Sequence, residues 1–128
     1  MIPAQFGYVR PGTLDEAVRT LASDEDAKVI AGGQSLLPLL RLRFSYPSTL
    51  VDVGGLTELR GVRDRGQDLE IGALTTHYEL TRDPLIKEHA GLLAEAAGTI
   101  ADPAVRHRGR SRDRRRGRSR RASHRAPR

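Results

Sequence analysis

The feature that most limits what this chain can fold into is its last stretch. After Gly109 there is no Leu, Ile, Val, Met or aromatic residue, and only Ala122 and Ala126 are apolar. A segment that cannot bury surface cannot offset the entropy cost of ordering it. A disordered, Arg-rich basic tail is therefore expected over residues 110–128. Any core must come from residues 1–109, a one-domain length.

The charge divides at the same place. Ten arginines lie in the tail, opposed there only by Asp113, so the tail carries +9 while the whole chain carries +6. Residues 1–109 are left with −3, and the basic character belongs to the tail alone. With no cysteine in the chain, disulfides, thiolate metal sites, iron–sulfur ligation and cysteine nucleophiles are excluded within it. The start, Met1-Ile2-Pro3-Ala4-Gln5-Phe6, lacks a basic region followed by an apolar one, which argues against secretion. The apolar run Leu36 to Leu40 is too short to span a bilayer, so no transmembrane segment is expected. A soluble, cytoplasmic location follows as the default expectation.

Residues 1–109 read as alternating short strands and helices. Phe6–Val9 is a strand ended by Pro11-Gly12, and Thr13 with Glu16 forms a capping box for a helix that buries Leu14, Ala17, Val18 and Leu21. Ala27–Ala31 reads as a short buried strand, broken by Gly32-Gly33. Ser35 then caps a helix through Leu36–Leu42, with Pro38 in its first turn and the leucines as core. Thr49–Val53 is a strand, and 59–62 pairs with 69–73 across the turn Asp64–Asp68. Thr75 or Thr76 caps a helix around His77–Leu80, which Asp83-Pro84 stops, and a last helix over 92–100 ends before Asp102-Pro103. The order predicts an α+β domain with one small sheet and flanking helices.

The stretch Val29-Ile30-Ala31-Gly32-Gly33-Gln34-Ser35-Leu36-Leu37 carries the chemistry. A strand runs into two glycines and then into a helix. Without Cβ atoms the glycines can take positive φ and admit a ligand to the backbone. Amides aimed outward at a helix start suit a diphosphate. Spacing alone favours the plainer reading of a tight turn followed by a serine cap, and the motif is not G-x-G-x-x-G.

Several blocks in order add to that reading. They are Phe6–Pro11, Ala31–Pro38, Leu50–Val53, Ile71–Thr76 and Ile100–Arg106. Through them residues 1–109 resemble the start of the FAD-binding medium subunits of molybdenum hydroxylases, the carbon monoxide dehydrogenase and xanthine dehydrogenase type. The resemblance implies the N-terminal lobe of a PCMH-type (vanillyl-alcohol-oxidase-type) FAD-binding domain. It implies FAD as cofactor, with Ala31, Gly32, Gly33, Gln34 and Ser35 wrapping the pyrophosphate and Ile100 near the flavin nucleotide. Gln34 stands where close relatives often have His, a change that a main-chain cradle tolerates. The resemblance also implies an oxidoreductase subunit that passes electrons from an iron–sulfur small subunit through FAD to an acceptor. Molybdopterin chemistry then lies on a large subunit.

The chain departs from the family after Arg106-His107-Arg108-Gly109. Relatives continue with a Thr-Ile-Gly-Gly loop, whereas here Arg110-Ser111-Arg112-Asp113 follows. A frameshift near the Gly109 codon is the expected cause, since GC-rich coding DNA read out of frame yields Arg, Ser, Gly, Ala, Pro and His. This truncated chain should then bind FAD poorly or not at all. The rival reading is a basic nucleic-acid-associated protein acting through the tail. The tail lacks aromatic residues for stacking bases, so no specific nucleic acid is expected.

The remaining polar residues read more plainly. His77, His89, His107 and His124 fit no metal-ligand spacing, and His77 reads as an exposed helix-start residue. Asp52 reads as a strand-end hydrogen-bonding residue and Ser35 as no hydrolase nucleophile. No catalytic residue is assigned, because redox chemistry of this kind belongs to the flavin.

Overall fold

A computed structural model describes residues 2–110, and the chain divides into two compact units, one running to Thr57 and one from Glu58 onward. The tail expected to be disordered lies outside the described residues apart from Arg110.

The first unit is a three-stranded parallel sheet with two crossover helices. Strand β1 (Gly7–Val9) leads through α1 (Leu14–Ser23) to β2 (Lys28–Ile30), and then through α2 (Leu36–Arg41) to β3 (Thr49–Asp52). The order is β1-β3-β2, so the last strand inserts between the first two. Tyr8 stands beside Leu50, Lys28 beside Leu50, and Ile30 beside Asp52. Parallel neighbours need long crossovers, which the two helices supply. The central strand is covered on both faces: Leu50 and Val51 point opposite ways, and both are buried.

The edge strands behave otherwise. Val29 is 46% exposed, so the segment expected as a buried strand is an edge strand. Among the residues expected on the buried face of α1, Ala17 is buried but Leu14 and Val18 are exposed. In α2 only Leu40 is buried, and Leu37, Leu39 and Leu42 are exposed rather than core. A helix of six residues has under two turns and buries one side chain here. Thr13 caps α1 by accepting from the Glu16 amide at 3.2 Å, but the Glu16 carboxylate reaches past Thr13 to the Gly12 amide at 3.0 Å. The capping box is thus displaced by one residue.

The second unit holds a separate two-stranded antiparallel sheet, β4 (Val62–Asp64) with β5 (Leu69–Ile71), and four helices. The strands therefore fall in two sheets and not one. The helices are α3 (His77–Arg82), α4 (Pro84–His89), α5 (Gly91–Gly98) and α6 (Pro103–Arg108). Leu80, Ile86 and Ala97 form the core, with Val62, Leu69 and Ile71 packed against it. Asp83-Pro84 and Asp102-Pro103, expected as stops, each begin a helix. Their carboxylates accept from the first-turn amides, and proline sits where no donor is needed.

Candidate functional site

The three parallel strands of the first unit end together at Val9, Ile30 and Asp52, so the loops that follow them share one edge. Ligands of open parallel sheets bind at this carboxyl edge. The predicted pyrophosphate residues Ala31–Ser35 form the loop after β2. Gly33 has φ +78°, a conformation open to glycine, and its carbonyl accepts from the Leu37 amide at 3.0 Å to close the turn. A Cβ on Gly33 would stand 2.9 Å from Leu37 Cδ1. The second glycine thus serves the bend itself.

The amides of Gly32, Gly33 and Gln34 make no hydrogen bond with any described residue. Ala31, Gly32 and Gln34 are half-buried, Gly33 is buried and Ser35 is exposed. Three successive unpaired N–H groups on a partly covered bend are the donor set a diphosphate needs. Ser35 occupies the N-cap position of α2, yet its backbone is helical (φ −99°, ψ −40°) and its side chain makes no capping hydrogen bond. The expected serine cap is therefore absent. The bend offers N–H groups more than the dipole of a long helix.

Ile100 lies in the second unit, between α5 and α6, with its amide 3.4 Å from the Ala97 carbonyl. Asp52 is a strand-end hydrogen-bonding residue, as expected. One carboxylate oxygen accepts from the Gly54 amide at 2.8 Å, and the other accepts from the Tyr8 hydroxyl. That hydrogen bond, helped by desolvation and the Asp52 charge, raises the Tyr8 pKa against the lowering influence of Arg10. Sequence reasoning passed over Arg10, whose guanidinium lies so close over Gly55 that a Cβ there would meet Nε at 3.1 Å. Nothing in the sequence marked it, because the pairing of β1 with β3 is not a local pattern.

In the second unit His77 is buried, against expectation, and its amide donates to the Gly109 carbonyl at 3.1 Å. Arg110 pairs with Thr76 in an isolated bridge. Tyr78 stacks on His107 with ring centroids 3.9 Å apart. Among the described residues no three His, Asp or Glu side chains converge as metal ligands, and no helix is long and apolar enough to cross a membrane.

Comparison with known proteins fits this arrangement. The family model described as the FAD binding domain in molybdopterin dehydrogenase matches residues 4–110, and the chain belongs to that family. The carbon monoxide dehydrogenase medium chain of Hydrogenophaga pseudoflava is 47% identical over 110 residues, 85% of this chain and 38% of the relative. The 6-hydroxypseudooxynicotine dehydrogenase complex subunit alpha of Paenarthrobacter nicotinovorans is 46% identical over 110 residues, covering 85% and 37%. Among solved structures, a carbon monoxide dehydrogenase from H. pseudoflava that lacks the Mo-pyranopterin moiety superposes with TM-score 0.85 at 46% identity, covering 88% of this chain and 40% of that one. Quinoline 2-oxidoreductase from Pseudomonas putida 86 superposes with TM-score 0.82 at 41% identity, covering 86% and 39%. The chain thus spans well under half the length of the relatives it matches.

Proposed function

We propose that this chain carries the diphosphate-holding bend of an FAD site, within a subunit of a carbon monoxide dehydrogenase-like molybdenum hydroxylase. Membership of the FAD-binding family names the cofactor, and the amides of Gly32, Gly33 and Gln34, unpaired among the described residues, support this reading of the bend. In this reading the three N–H groups and the Ser35 hydroxyl hold the pyrophosphate oxygens. Gly32, without a Cβ, keeps side-chain bulk away from them, and Gln34 contributes through its main chain. Ile100 belongs to the same proposal by family resemblance alone, as a contact of the flavin nucleotide.

Bound flavin would supply the redox chemistry, relaying electrons from an iron–sulfur partner subunit to an external acceptor while a molybdopterin subunit handles substrate. This chain's residues bind and orient. None of them is asked to move a proton. Affinity for FAD is weak in this reading, because the second glycine-rich loop expected after Gly109 is replaced by Arg110-Ser111-Arg112.

Titration of FAD and of riboflavin with the protein, followed by flavin fluorescence, tests the proposal. FAD should bind measurably and riboflavin, which has no diphosphate, should not. Equal binding of the two, or binding of neither, removes the support for the bend as a diphosphate holder.

A further inference from the structure

Arg10 sits at the same carboxyl edge as the glycine bend. It follows β1 directly and lies two residues beyond Tyr8, so both side chains leave the same face of the sheet. Tyr8 faces Leu50 on β3, and its hydroxyl reaches Asp52 two residues on. Asp52 stands beside Ile30 on β2, whose Cδ1 lies 3.9 Å from where a Cβ on Gly33 would be. Tyr8, Arg10, Asp52, Ile30 and Gly33 thus run along one face of one edge. The guanidinium of Arg10 does not stay over β1. It lies over Gly55, in the loop after the central strand, which stands between β1 and β2.

The charges there are arranged unevenly. Both Asp52 oxygens are taken by neutral donors, the Gly54 amide and the Tyr8 hydroxyl. Among the described residues Arg10 forms no ion pair and no hydrogen bond. Its planar group packs on a residue without a side chain, with its donors uncommitted. A guanidinium recognises phosphate oxygens through paired N–H groups.

We propose that Arg10 supplies the positive charge for the diphosphate held by Gly32, Gly33 and Gln34, with Gly55 making room for its approach and Tyr8 keeping Asp52 from pairing with it. This rests on the reading of the bend given above and adds a side chain from another strand to it.

The test is an amide NMR titration of the protein with inorganic pyrophosphate, repeated for Arg10→Gln and Arg10→Lys. The parent should show shifts at Gly32, Gly33 and Gln34. Arg10→Gln should weaken binding about tenfold, Arg10→Lys should recover part of the loss, and raising salt should narrow the difference. Unchanged amide positions elsewhere establish that the variants are folded. Shifts at the bend with equal affinity in parent and Arg10→Gln overturn the role of Arg10 while leaving the bend's role intact. No shifts at the bend in the parent overturn both.

Discussion

Tyr8 on the edge strand donates its hydroxyl to the carboxylate of Asp52 on the central strand, and the hydrogen bond holds the carboxyl ends of β1 and β3 together. Because the bond needs the tyrosine proton, the Tyr8 pKa lies above its ordinary value. The folded state retains this proton longer than the unfolded chain does. The contribution to stability is therefore fully present below the unfolded tyrosine pKa, and it is lost as pH rises through the raised one. Ultraviolet titration of tyrosinate should show a late step that disappears in Tyr8→Phe, and the variant's stability should fall less over the same alkaline range. Identical titrations of parent and variant contradict the assignment.

The start of α3 gives a second prediction at the opposite end of the pH scale. Burial pushes the Glu79 carboxyl upward, but the Thr76 amide and hydroxyl and the Arg60 guanidinium outweigh it, and the pKa is lowered. Its contribution is present above the unfolded glutamate pKa and lost as pH falls through the lower folded value. The capping box is complete, with the Thr76 amide 2.7 Å from Glu79 Oε2 and the Glu79 amide 3.1 Å from Thr76 Oγ1. Thr76→Ala should cost about 1 kcal/mol in urea unfolding at neutral pH, and Thr76→Ser should retain most of that stability. Glu79→Gln should flatten the acid limb of the stability curve.

Gly33 combines a left-handed backbone with close contact to Leu37. Gly33→Ala should therefore destabilise the protein by about 1–2 kcal/mol. Adding Leu37→Ala should relieve the contact and leave the backbone strain, so the double variant stays less stable than Leu37→Ala alone. Equal urea midpoints for those two proteins speak against the left-handed bend.

These residues also show how far sequence patterns reach. The α+β class, the bend and its place between β2 and α2 were legible, because glycine pairs and apolar spacing act locally. The helices α4 and α6 were hidden, because Asp-Pro can end one helix while serving as cap and first residue of the next. The exposure of Leu37, Leu39 and Val29 was hidden for another reason: apolar spacing does not reveal that a strand lies at an edge or that a helix has six residues. The burial of His77 depends on Gly109, thirty-two positions away in the sequence. Arg10 became visible only once β1 was seen to run parallel to β3.

The central claim is that the main-chain donors at Gly32, Gly33 and Gln34, unpaired among the described residues, hold a diphosphate. Amide NMR of the labelled protein during addition of FAD measures this directly. The account predicts that these three resonances shift together and saturate with FAD, and that they stay in place with riboflavin. Movement confined to other residues, or equal movement with riboflavin, contradicts it.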